Sequence, residues 1–530
     1  MSFRKQYRSW IALGAAWVFP AACSDSGEGR VTLADAAAGG RAGGEGIAAN
    51  GGFADAVSNA GGSLANDGFA DAISDAGGSL ANGGFAGSAS DAGGSVANSG
   101  TGGSPEVCDD VYPYEDGYTC EEQASWGKCD ESWLLGYCDY SCGRCGEGGG
   151  PDEIISECGE TGTAPDLTAD AGAAPTLDCG TAPADECEMN TGLTHACRKR
   201  FALGINYAWR DFGADFGGLE AWSLPGISGA MATYNADLAR MKANGASVVR
   251  WWMFPDLRGD AVGLDADGVP SGLSANAVAD IVAALELAQR NDLYLALTLF
   301  SFDAFRASRD EGDVHIPGLS EIVRDAASRQ ALIENVVRPV AQTVAENPYA
   351  SRLLAWDVIN EPEWAVEATG AADQDFTPNG ELDAVTLTEM KALINETLAE
   401  LGTQTPSILR SVGWAAAKWA WAFEDVTAVE LHQPHIYGWV NDYWPYTSTP
   451  AELGYGSKPT VMGEFFLTTN PFAADTPTFS DIVTSWYDNG YAGAWAWDYF
   501  SGCIADPPKS SVDMTLIQQF AADHGCSVTY

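Results

Sequence analysis

Residues 201–500 repeat one alternation eight times: a short apolar run, then a helical pattern or a loop. The runs are FALGINYA (201–208), SVVRWWMF (247–254), LYLALTLF (293–300), LLAWDVIN (353–360), SILRSVGW (407–414), AVELHQPHIY (428–437), PTVMGEFF (459–466) and GAWAWDYF (493–500). Most are apolar at consecutive positions, which suits parallel strands covered on both faces. Helical patterns lie between them at 234–244, 276–291, 328–347, 384–401 and 478–489. Strands alternating with helices build a parallel sheet. Eight such units in roughly 330 residues predict an α/β chain closed into a (β/α)8 TIM barrel. An open, doubly wound sheet is the competing arrangement, but no Gly-rich phosphate loop follows the first run.

The run at 353–360 stops abruptly at Asn360-Glu361-Pro362, because Pro362 cannot donate to a strand ladder. Glu361 therefore stands at the carboxyl end of a buried strand, the end where such barrels keep their chemistry. The other runs bring Arg250, His435, Tyr437, Glu464 and Trp497 to the same end. His435 is preferred to His432, with Pro434 between them. Two carboxylates facing each other across a barrel mouth are the apparatus of glycoside hydrolysis, and ~5–5.5 Å between them suits retention by double displacement. The plainer alternatives are a solvated Glu361, a structural ion pair at Arg250, and a core position for Trp497, with Trp495 in the exposed role.

Together, Arg250, Asn360-Glu361-Pro362, His435-x-Tyr437, Gly463-Glu464-Phe465 and Trp497 resemble the motif set of clan A glycoside hydrolases, family 5 above all, across 198–530. The resemblance implies Glu361 as general acid and base, Glu464 as nucleophile, and Asn360 on the substrate 2-hydroxyl. It further implies Arg250 and Tyr437 bonded to the nucleophile, His435 near the acid/base, and Trp497 as a sugar-stacking floor. Many cellulases of that family carry a His at the end of strand 3. This chain reads Ser301-Phe302-Asp303 there, which leans towards mannanase-like members. The expected activity is thus that of a retaining endo-β-1,4-mannanase, with an endo-β-1,4-glucanase as the alternative. A catalytically silent polysaccharide-binding protein is the reading from another class. Trp209, Trp252, Trp364, Trp414, Trp439 and Trp444 are further candidate sugar platforms, some of which must be core. Neither cofactor nor metal is called for, and Asp265-x-Asp267-Gly268 reads as a turn rather than a calcium loop, since it has no distal Glu.

The N-terminal part is of a different kind. Residues 1–23 read as an export signal: basic Arg4, Lys5 and Arg8, an apolar stretch to Phe19, then Ala21-Ala22-Cys23. That ending resembles a bacterial lipobox with Cys23 as the lipidated residue, although Pro20 stands where Leu is usual. Residues 24–107 form a low-complexity stalk with 16-residue repeats beginning at Gly52, Gly68 and Gly84, too poor in large apolar residues to bury a core. Residues 108–145 hold six cysteines and no His, which favours disulfides over metal. Their spacing resembles the ShK-toxin-like module, which implies Cys108–Cys145, Cys120–Cys138 and Cys129–Cys142. Residues 146–197 form a connector whose four cysteines, with Cys503 and Cys526, make an even set of open pairing. A formal charge of -46 argues against nucleic acid and anionic lipid as partners. The expected partner is a β-linked polysaccharide, the expected state a monomer, and the expected place the cell surface or the medium, with membrane contact only through the lipid.

Overall fold

The structure is a computed structural model that describes residues 158–180, 187–189, 191–370, 375–441, 445–466, 478–504 and 513–530. The expected export signal, Cys23, the repeats and the Cys-rich module with the three disulfides implied for it lie outside the described residues. Among the described residues, no helix is long and apolar enough to cross a membrane.

The eight predicted runs form one parallel sheet. Its strands are β1 (Ala202–Asn206), β2 (Val248–Trp252), β3 (Tyr294–Ser301), β4 (Leu353–Asn360), β5 (Leu409–Trp414), β6 (Leu431–Pro434), β7 (Val461–Met462) and β8 (Gly493–Ala496). The ladder runs β6-β5-β4-β3-β2-β1-β8-β7. It closes where His432 bridges Thr460 and His435 bridges Glu464, so β6 meets β7 and the sheet becomes a (β/α)8 barrel. Closure removes both sheet edges, which leaves no unpaired strand to protect. β6, β7 and β8 are shorter than their apolar runs: the residues beyond the continuous ladder towards the mouth are joined only by single bridges, His435 to Glu464 and Phe466 to Trp497.

Helices cover the outside. Ala275–Arg290 begins where the Ser274 hydroxyl accepts the Ala277 N–H, and Phe479–Asp488 begins at a Thr478–Asp481 capping box. Leu387–Gln404 starts later than its pattern suggested, because Thr386 and Glu389 form the capping box there. The long helical pattern at 328–347 is one run from Ala326 to Ala345 with a π-helical turn at Ile333–Val337. Pro339, without an N–H and with its ring against the preceding turn, sits just beyond that turn, where regular i→i−4 bonding has to yield. The final helix, Met514–His524, was not anticipated from the sequence.

The amino-terminal end of the barrel is plugged by Leu193, Ala202, Val248, Tyr294, Leu354, Leu431, Val461, Trp495 and Tyr530. The hairpin Leu193–His195/Arg198–Arg200 closes over it, held by the Tyr530 hydroxyl donating to Leu193 O at 2.7 Å. The open pairings of the connector are Cys158–Cys503, Cys179–Cys197 and Cys187–Cys526. Asn244 donates to Cys158 O and Glu160 O, Asn235 to Pro165 O, and Gln289 to Ala171 O and Ala173 O. Residues 158–180 thus lie against the barrel helices.

Candidate active site

Every strand of a parallel barrel points its carboxyl end to the same face, so distant sequence segments meet there. At the end of β4, Glu361 takes a left-handed backbone, φ 50°. A non-glycine residue pays for that conformation in sterics and keeps it only where its surroundings demand it. Here its N–H donates to Gly413 O at 2.7 Å, and Pro362 starts the 3₁₀ turn Pro362–Ala365. The chain therefore leaves the ladder at once and leaves the Glu361 carboxyl at the mouth.

Arg250 is the hub below it, with no exposed side-chain surface. Its Nε and Nη2 donate to Asp357 Oδ2 at 3.0 and 2.7 Å, Nη2 also to Asn360 Oδ1 at 2.8 Å, and Nη1 to Asn206 Oδ1 at 2.9 Å and Glu464 Oε1 at 2.6 Å. That is five bonds, matching the five N–H groups of a guanidinium. Asp357 also accepts from Thr298 and from the Gly413 N–H. Asn206 turns its amide on Gly463 O and Trp495 O, locking β1 to β7 and β8. Gly413 is needed for space: a Cβ there would lie 2.8 Å from Arg250 Nη2 and 3.1 Å from His435 Nε2. Asp357, Asn206, Thr298 and Gly413 were missed from the sequence. A charged residue in the middle of an apolar strand, such as Asp357 in β4, is the signal that could have found one of them, because buried charges need partners.

The two carboxylates are held differently. Glu464 accepts from Arg250 at Oε1 and from the Tyr437 hydroxyl at Oε2, 2.7 Å. Glu361 has Trp364 Nε1 on Oε2 at 2.8 Å and His435 Nδ1 on Oε1 at 2.8 Å. His435 Nδ1 also stands 3.5 Å from Glu464 Oε2. One oxygen of each Glu and a ring nitrogen of His435 all lie within 4.8 Å of one another. Burial raises both acids and pushes Glu361 up to about 7. Arg250 and the Tyr437 hydroxyl donate directly to Glu464, so the negative charge of the pair is best placed on Glu464 and the proton on Glu361. Burial holds His435 down to about 4, a neutral ring.

One consequence concerns pH. A carboxyl with a raised pKa keeps its proton through the weakly acid range and loses it as pH passes about 7. If Glu361 acts as the acid, kcat/KM falls on the alkaline side with an apparent pKa near that value. A pH–rate profile still flat two units above it would remove Glu361 from that role.

The tryptophans divide. Trp495 is fully buried in the lower plug, whereas Trp497 is partly exposed at the mouth beside Trp209, Trp252 and Phe500. Trp497 lies 5.5 Å from Trp252 and 5.9 Å from Trp209, ring to ring. Trp209 and Trp252 are themselves only 6 % and 4 % exposed, so they back Trp497 rather than present faces of their own. Trp414 is buried against Phe423, while Trp364 stands half-buried at the rim. The Trp439 side chain and Trp444 lie outside the described residues. Asp265 accepts the N–H groups of Asp267 and Val269, a closed turn.

Comparison with known proteins follows the same lines. No family model matches the chain. It is similar to a mannan endo-1,4-beta-mannosidase of Mytilus edulis, 23% identical over 339 residues that span 58% of this chain and 86% of that protein. A mannan endo-1,4-beta-mannosidase of Cryptopygus antarcticus is likewise 23% identical over 336 residues, 58% of this chain and 82% of that one. Among solved structures, the beta-mannanase of the blue mussel superposes with a TM-score of 0.50 at 20% identity, covering 64% of this chain and 96% of the mussel chain. That likeness shows the barrel fold.

Proposed function

We propose that the chain is a clan A glycoside hydrolase of the family 5 type, a retaining endo-β-1,4-mannanase. The observation that carries the reading is the pair Glu361 and Glu464, an oxygen of each within 4.8 Å, one bonded by a guanidinium and the other not. So short a separation leaves no room for a water between the carboxylates and suits a covalent intermediate. The kinship with mannan endo-1,4-beta-mannosidases over most of their length supports mannan as the substrate. The strand-3 end Ser301-Phe302-Asp303 points the same way, and β-glucan is the alternative.

In the first step Glu464 attacks the anomeric carbon while Glu361 gives its proton to the departing oxygen. The electrons of the broken bond stay on that oxygen, and a glycosyl ester forms on Glu464. In the second step Glu361, now ionised, takes a proton from water, whose oxygen displaces Glu464. Arg250 and Tyr437 aim the nucleophile and stabilise it when it leaves. Arg250 holds the Asn360 carbonyl oxygen, which turns the amide donor of Asn360 away from the hub and towards a sugar 2-hydroxyl. Trp497 offers an aromatic floor to the apolar face of that sugar. Residues 1–23 and the disulfides support export, with Cys23 as the lipid anchor. Residues 24–107 then serve as a stalk, and the Cys-rich module is an accessory on it.

The test is product analysis. Reducing ends should be released from mannan in preference to glucan and xylan, and proton NMR should show the β-anomer first. An α-anomer formed first would overturn the two-step mechanism, and a preference for glucan would move the substrate.

A further inference from the structure

Trp364 is not among the residues to which the motif resemblance assigns a role, yet it touches the acid/base directly. Its indole N–H donates to Glu361 Oε2 at 2.8 Å. An indole N–H donates and never accepts, so unlike His435 it cannot reverse the polarity of its bond. The turn that carries it is fixed from several sides. Glu363 is buried and accepts the Ala415 N–H on both oxygens at 3.1 Å. The carbonyl of Trp364 accepts the Asn379 N–H at 3.0 Å. Its ring meets Trp419 edge-on at 5.1 Å, and Trp419 in turn donates to Asp375 O at 3.0 Å. The indole is therefore held in place independently of Glu361.

We propose that Trp364 is a positioning residue for proton transfer: its N–H fixes the plane of the Glu361 carboxyl and so sets how well Glu361 protonates the leaving oxygen. The inference rests on the retaining β-mannanase reading above. Other groups act on Glu361 too: His435, Tyr437, Arg250 and Glu464 within the barrel mouth, Asp303 after β3 and Glu363 on the same turn. None of them holds Oε2 by a donor of fixed polarity. A donor to the ionised form also favours ionisation, and the Trp364 bond lowers the Glu361 pKa against the larger effect of burial.

The experiment is Trp364→Phe, which keeps a ring on the turn and removes the N–H. kcat/KM, which reports the first step alone, is measured on a manno-oligosaccharide and on dinitrophenyl β-mannobioside, whose leaving group needs no proton. On the oligosaccharide the value falls about 10- to 100-fold, and its alkaline limb moves to higher pH. On the activated substrate it stays within about two-fold of wild type, which also shows that the site is folded. Equal losses on both substrates, or an alkaline limb that does not move, overturn the role of Trp364. Wild-type protein inactive on both substrates overturns the mannanase reading instead.

Discussion

Glu464→Ala lowers kcat/KM on mannan by about 10⁴-fold or more, with manno-oligosaccharide binding kept within a few-fold. The substitution removes the atom that forms the covalent intermediate. It leaves in place the groups that hold the sugar, and Arg250 keeps its two bonds to Asp357. Added azide should restore turnover by entering the emptied space, and the product should be the α-glycosyl azide, since only one displacement then occurs. Titration calorimetry with a manno-oligosaccharide measures the binding arm. Hydrolysis within ten-fold of wild type would remove Glu464 from the nucleophile's place.

Arg250→Met has the other large effect, and it reaches stability as well as activity. The guanidinium is the shared partner of two buried acids, Asp357 and Glu464. Without it both carboxylates remain in a low-dielectric site, uncompensated. Breaking a buried pair in this way costs about 3–5 kcal/mol, on the order of 10 °C in Tm for a domain of this size. Arg250→Lys keeps the charge but loses the fork that reaches Asn206, Asp357, Asn360 and Glu464 together. It should recover part of the Tm and little of the activity. Arg250→Met combined with Asp357→Asn should recover part of the stability without catalysis, because one of the two unpaired charges is gone while Glu464 stays buried, unpaired and unaimed. An unchanged Tm in Arg250→Met would mean that the hub carries no structural weight.

The predicted and observed elements differ in instructive places. All eight strands were legible, because apolar runs of strand length between helical patterns have few other uses. The ends of β6, β7 and β8 were overestimated, because periodicity does not distinguish a residue in the continuous ladder from one joined to its neighbour by a single bridge at the mouth. Trp495 on β8 and Trp497 just past its end sit two apart in one apolar run and have the same side-chain chemistry. Only the height of each within the barrel separates a core residue from a candidate sugar floor. The cystine pairs of the connector had the same difficulty: six cysteines allow many pairings, and Cys158 meets Cys503 only because the connector lies against the barrel.

What the sequence by itself determined is the barrel and the two acids that stand at its open end. Both follow from local information: strand periodicity, a proline that ends β4, and the rule that parallel strands finish on one face. What only the tertiary structure decided is how differently those acids are held. Asn206, Asp357 and Gly413 come from three strands and act through one guanidinium, and Trp364 acts through a turn clamped by residues some 15 to 50 positions downstream. No spacing in the chain encodes such a meeting. It exists because closing the sheet brings the strand ends to hydrogen-bonding distance, where burial removes water and makes each remaining donor count.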